Sequence, residues 1–200
     1  MAEVVLFHHA QGLTSGCLAL ADELRAAGHV VHAPDLYDGQ TFAELGDGIG
    51  YARQVGFDTI LERGRAAAAS LPPELVYAGL SLGVMPAQKL AQTRPGAKGA
   101  VLLHAAFPAS EFGDAWPPAV PLQIHLMEDD EFALRGTSTP PASWTKRSRA
   151  QRCFCIRATG TCSPTAAWPT TTSTARRWSS SASSPSSTAS SSCAYRATSV

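Results

Sequence analysis

The chain reads as an α/β protein built on a doubly wound parallel sheet, and three observations carry that reading. Short apolar runs alternate with helix-like segments through residues 4–125, the order of successive βαβ units with right-handed crossovers. The runs do not alternate apolar with polar, as expected of strands covered on both faces. Between one such run and one such helix stands Gly79-Leu80-Ser81-Leu82-Gly83.

Residues 4–8 (Val-Val-Leu-Phe-His) form the first strand. Residues 14–27 form a helix with Leu18, Leu20, Ala21 and Leu24 on its apolar side, closed by Gly28 as a C-cap. Residues 29–33 are the second strand, ending at Pro34-Asp35, and His29 and His32 flank it as structural residues. Residues 36–56 read as loop with a short helix, and residues 58–70 as a longer helix stopped by Pro72-Pro73. The third strand is 75–79, its helix 82–93, the fourth strand 99–104 and the fifth 120–125.

A fault line falls near residue 135. All 16 acidic residues lie at or before Glu131, where seven basic residues leave a net −9, and the remainder carries +9. Residues 132–200 hold 16 Ser, 12 Thr, four of the five Cys and three of the four Trp, with only Leu134, Ile156 and Val200 as aliphatics. Neither a globular domain, nor a linker, nor a usual disordered segment has this composition. A shifted reading frame accounts for it. Regrouping the codons of residues 153–164 from each third base permits Val-Phe-Leu-Tyr-Pro-Gly-Asp-Arg-His-Leu-Phe-Thr, a buried strand and a loop with a histidine. Residues 136–148 regroup to permit an amphipathic helix. The expected organisation is a core over 1–135 and a disordered, out-of-frame tail over 136–200.

Composition excludes several classes. The start lacks a basic segment and a long apolar run, so no secretory signal is expected. No stretch reaches the roughly 18 apolar residues of a membrane span. Cys17, alone in the front part, fits a reducing, cytoplasmic setting. Cys153, Cys155, Cys162 and Cys193 match no zinc spacing, so no metal is expected, and the acidic front disfavours nucleic acid.

Ligands of such sheets sit at the carboxyl ends of the strands, and three segments fall there. Ser81 follows the third strand in the strand–turn–helix setting of a nucleophile elbow. His8-His9-Ala10-Gln11-Gly12-Leu13 follows the first, where a glycine allows a tight turn and exposes backbone N–H groups. Met127-Glu128-Asp129-Asp130-Glu131 follows the fifth. Together they offer a nucleophile, an oxyanion cradle and a carboxylate in the chain order of a hydrolase. The residues themselves leave His8 and His9 open between structural and catalytic roles, and 128–131 open between a triad acid and a solvated loop. His104 reads as a satisfied buried histidine and Asp35 as a loop-ordering residue.

At these residues the chain resembles the dienelactone hydrolase family of α/β-hydrolases, in a compact actinobacterial-type branch, over about residues 3–133. The likeness rests on the 8–13 loop, on Pro34-Asp35-Leu36-Tyr37-Asp38-Gly39, on the stretch from Gly79 to Gln88, and on His125-Leu126-Met127 with the acids that follow. The resemblance implies Ser81 as nucleophile, where the best-known members carry cysteine, and Asp130 as triad acid. It implies Ala10 and Leu82 as the oxyanion-hole donors through their N–H groups. His9 takes the place of a glutamate that contacts the nucleophile, and with Gln11 falls among the substrate-binding or supporting residues. The family's catalytic histidine maps onto the junction of Gly160 and Thr161, so the chain as it stands is expected to be nearly inactive. The implied fold is a truncated α/β-hydrolase lacking its last strand and helix. The implied substrate is a small ester or lactone, without cofactor, and the oligomeric state is unreadable. Two other classes are weighed against this one: a non-catalytic small-molecule binder of the same fold, and a flavodoxin-like phosphate binder. The second lacks its phosphate loop after the first strand.

Overall fold

The computed structural model describes residues 1–127, together with the backbone of residues 151–158 and 195–199. In chain order the elements are β1 (Glu3–Phe7), α1 (Ser15–Ala26), β2 (Val30–His32), α2 (Leu45–Val55), α3 (Phe57–Ala69), β3 (Val76–Leu80), α4 (Val84–Thr93), β4 (Gly99–Leu103), β5 (Leu122–Met127), β6 (Gln151–Ala158) and β7 (Tyr195–Ser199). The sheet order is β2-β1-β3-β4-β5-β6-β7, parallel throughout except for the β6–β7 pair.

Strand residues alternate between two cores, which is what winding on both faces requires. Val5, Phe7, Tyr77, Leu102, Leu122 and Ile124 face α2, α3 and α4, where they pack with Ile60, Ala68, Val84, Ala87 and Ala91. Val4, Leu6, Ala78, Leu80 and Val101 face α1 and its Cys17, Ala21 and Leu24. The apolar stripe of α1 is therefore 17, 21 and 24, spaced i, i+4, i+7, and Leu18 lies off it and 42% exposed. Of the expected apolar positions, Ala21 and Leu24 are buried and Leu20 packs against the same core, so Leu18 alone departs from expectation. The end of α1 is as expected. Gly28, at φ 89°, donates its N–H to Arg25 O, and His29 donates to Leu24 O, the paired closure of a helix with a left-handed residue after it.

Two elements differ from expectation. Residues 45–55 form a full three-turn helix rather than a short one, broken from α3 only by Gly56 at φ 90°. Gly46, Gly48 and Gly50 weaken the helical pattern of that stretch when read by propensity. The sheet also does not end at β5. β6 pairs parallel with it, from Leu122 opposite Gln151 to Met127 opposite Ile156, and β7 closes the edge antiparallel to β6. The unpaired N–H and C=O row of β5 accepts a strand-compatible backbone, and Cys153-Phe154-Cys155-Ile156 is the longest apolar run of the tail. The expectation of a missing last strand is thus corrected. The rest of the expected 136–200 tail lies outside the described residues.

Candidate active site

β3 ends at Leu80 and the chain turns at Ser81 with φ 48°, a left-handed conformation that costs a non-glycine residue roughly 1–2 kcal/mol. One 3-10 turn, Ser81–Gly83, leads directly into α4. Both flanking glycines are needed by close approach. A Cβ on Gly83 would stand 2.6 Å from the His8 carbonyl oxygen and nearer still to that of Phe7. A Cβ on Gly79 would stand 2.6 Å from the Gly83 carbonyl carbon and the Val84 nitrogen. The five residues form a tight strand–serine–helix elbow pressed against the end of β1.

The loop after β1 lies against that elbow. Gly12, at φ 91°, closes it by donating its N–H to His9 O at 3.0 Å. Ala10 is buried, and Gly48 of α2 packs so closely that a Cβ there would stand 2.8 Å from the Ala10 carbonyl carbon. The Gln11 side chain donates to Ala43 O at 2.7 Å, tying the loop to the segment before α2. Asp35 orders the neighbouring loop as expected, accepting the N–H groups of Tyr37 and Gly39. His32 pairs with Glu3 at 2.8 Å and His29 Nδ1 accepts the Ala2 N–H, so both flanking histidines have structural contacts.

Register brings the ends of three strands to one carboxyl edge. Phe7 pairs with Gly79 and Leu80 with Leu103, so β1, β3 and β4 end at one edge of the sheet, where Ser81 and the segments carrying His9 and His104 leave it. His104 has φ 67° and donates its N–H to His125 O at 2.8 Å. His9 holds its ring by accepting the Gln11 N–H at Nδ1, 3.2 Å, with Nε2 3.3 Å from Thr14 Oγ1. Burial, with His8 and His104 nearby, lowers the His9 pKa to about 4. Burial and His104 lower that of His125 to about 4 as well.

Burial likewise lowers the pKa of His8. These three imidazoles stay neutral in the folded chain at a pH where the unfolded chain, titrating near 6.5, takes up protons. Stability is therefore expected to fall as pH drops from about 6.5 toward 4, by up to about 1.4 kcal/mol per unit of depression per group. Urea midpoints at pH 7.5, 6 and 5 read it; a midpoint constant across that range would contradict it.

Of the other expected site residues, Leu82 follows Ser81 in the 3-10 turn, half-buried. β5 runs to Met127, and Asp130 and the Gly160–Thr161 junction lie outside the described residues. Sequence reasoning missed a clamp on the loop after β4. Buried Gln88 donates to Phe107 O at 2.9 Å and accepts the Phe107 N–H at 3.0 Å, while Gln92 donates to Ala109 O. A glutamine four residues after Val84, on the apolar face of α4, was the available signal. Among the described residues no cluster of three or more His, Cys, Asp or Glu is arranged to hold a metal, and no helix is long and apolar enough to cross a membrane.

A parallel sheet with a glycine-packed serine elbow after its third strand defines the α/β-hydrolase class. The family model of the dienelactone hydrolase family matches residues 1–139, and the chain belongs to that family. A hydrolase of the α/β superfamily from Xanthomonas campestris pv. campestris shares its fold at a TM-score of 0.51 and 23% identity, over 78% of this chain and 86% of the other. The dienelactone hydrolase-like promiscuous phosphotriesterase P91 from metagenomic libraries gives 0.52 and 21%, over 68% and 61%. A dienelactone hydrolase homologue from Klebsiella pneumoniae subsp. pneumoniae gives 0.50 and 16%, over 66% and 62%. The chain thus spans less than two thirds of the latter two. No curated sequence matches it significantly.

Proposed function

We propose that this family member is a hydrolase of small esters or lactones with Ser81 as nucleophile. The observation that carries the reading is Ser81 at φ 48° between two glycines that no side chain can replace, at the carboxyl edge where the His9 loop meets it. A serine held at such a cost and presented on a turn is the arrangement covalent acyl transfer uses.

In the proposed reaction a histidine accepts the Ser81 Oγ proton as oxygen attacks the carbonyl carbon. The N–H groups of Ala10 and Leu82 hold the oxyanion, and Asp130 holds the imidazole in the useful tautomer. The tetrahedral intermediate collapses, the histidine protonates the departing alkoxide, and water then attacks the acyl-serine by the same route. The histidine belongs to the segment recovered by regrouping codons at 160–161, so the chain as it stands is proposed to lack its base. His9 and Gln11 support the cradle rather than react, since His9 has its nitrogens turned to Gln11 and Thr14 and the Gln11 amide is turned to Ala43.

A single-base change near codon 135 that restores the frame tests this directly. Hydrolysis of short p-nitrophenyl esters is expected to rise by at least two orders of magnitude over the present chain. A restored, folded protein that hydrolyses no faster would overturn the reading and favour a non-catalytic binder.

A further inference from the structure

His8 is fully buried, one residue before the loop that carries the proposed oxyanion donor, and the mechanism above gives it no role. Its Nε2 lies 2.9 Å from the Leu36 nitrogen, whose N–H donates to it, so Nε2 bears no proton. Asp35 Oδ1, 3.6 Å from Nε2, is too distant to bond and is taken by the Tyr37 N–H. The ring proton therefore sits on Nδ1, which donates to the His9 carbonyl oxygen at 2.8 Å. The Tyr37 ring packs against the imidazole in a T-shaped contact at a ring-centroid distance of 5.0 Å.

That carbonyl belongs to the same peptide unit as the Ala10 N–H. A trans peptide is planar, and its C=O and N–H point in opposite directions. Whatever holds the His9 oxygen aims the Ala10 hydrogen. Two donors hold it, the Gly12 N–H at 3.0 Å and His8 Nδ1–H. The Gly12 bond belongs to the turn itself and swings with it, whereas His8 is anchored outside the loop through Leu36. The backbone hydrogen bonds of this turn use the Gly12, Thr14 and Phe42 N–H groups and leave that of Ala10 aside.

We propose that His8 is a positioning residue, whose Nδ1–H turns the His9–Ala10 peptide so that the Ala10 N–H faces the oxyanion position beside Ser81. The oxyanion role of Ala10 rests on the hydrolase reading; the orientation of the peptide does not.

Three substitutions separate positioning from packing. Asn at position 8 keeps a donor near Nδ1 and loses the Leu36 contact. Gln keeps a polar atom near Nε2 and loses the donor to His9. Ala loses both. The residual dipolar coupling of the Ala10 N–H in the full chain reads the peptide direction. It is expected to stay nearest wild type in His8→Asn, which keeps the donor without the Leu36 anchor, and to shift further in His8→Gln and His8→Ala. An unchanged coupling in all three, or a shift in His8→Asn equal to that in His8→Gln, overturns the proposal.

In the frame-restored chain, the rate at which an alkyl fluorophosphonate phosphonylates Ser81 (P–O bond formed, fluoride leaving, proton to the base) should follow the same order. His8→Gln and His8→Ala should label slower on the order of 10-fold or more, and His8→Asn near wild type. Labelling that is lost in Ser81→Ala but indifferent to every His8 variant sinks the proposal and spares the hydrolase reading. Labelling that persists in Ser81→Ala sinks the reading instead.

Discussion

Ser81→Ala in the frame-restored chain is expected to lower ester hydrolysis by on the order of 10⁴–10⁶-fold, the range seen when one member of an acyl-transfer triad is removed. Fold and substrate binding should survive, because alanine at φ 48° meets the same backbone strain as serine and the elbow's contacts are made by its glycines. Steady-state kinetics alongside thermal melts separate the two effects. Ser81→Gly makes the contrast sharper. Glycine enters the left-handed region freely, so that variant should be equally inactive yet more stable by up to about 1 kcal/mol. Retained turnover in Ser81→Ala would reduce Ser81 to a turn residue. A Ser81→Gly protein less stable than wild type would show that the elbow is not strained.

Gly83→Ala is expected to be among the most damaging methyl groups that can be added to the described part of the site. Its Cβ would be driven into the carbonyls of Phe7 and His8, backbone at the end of β1 and just beyond it rather than a flexible side chain. Overpacking of this kind costs roughly 1–3 kcal/mol, a large share of the roughly 5–15 kcal/mol that holds a domain together. Relief requires moving the elbow away from β1, which separates Ser81 from the His9 loop, so activity of the restored chain should fall with stability. Denaturant midpoints and ester turnover measured together test it. Gly46→Ala supplies the control, since nothing lies within 4 Å of a Cβ there, and the helix-propensity gain should raise stability slightly. A Gly83→Ala protein as stable as wild type would refute the account of why the glycine is required.

Much of the fold was legible because it depends on local pattern. Apolar runs without alternation marked β1, β3, β4 and β5 within one or two residues, and Gly28 marked the end of α1. Backbone hydrogen bonding and burial on both faces leave few alternatives to such runs. The exposure of Leu18 in α1 and the length of α2 were misread for the same physical reason. Leu18 and the glycines of α2 are judged by propensity in a sequence, but by neighbours in a structure.

By itself the sequence determined a doubly wound sheet with a glycine-flanked serine after its third strand, and it exposed the compositional break near residue 135. Only tertiary structure decided why Gly83 is obligatory, since Phe7 and His8, whose carbonyls exclude a Cβ there, lie more than seventy residues away in the chain. It alone brought the ends of β1, β3 and β4, from which the segments carrying His9, Ser81 and His104 leave, to one edge of the sheet through strand register. It also turned His8 from an ambiguous histidine into a buried neutral ring bridging Leu36 and the His9 carbonyl. Side-chain type can be read from a sequence, but tautomer, close approach and register are properties of partners that folding alone assembles.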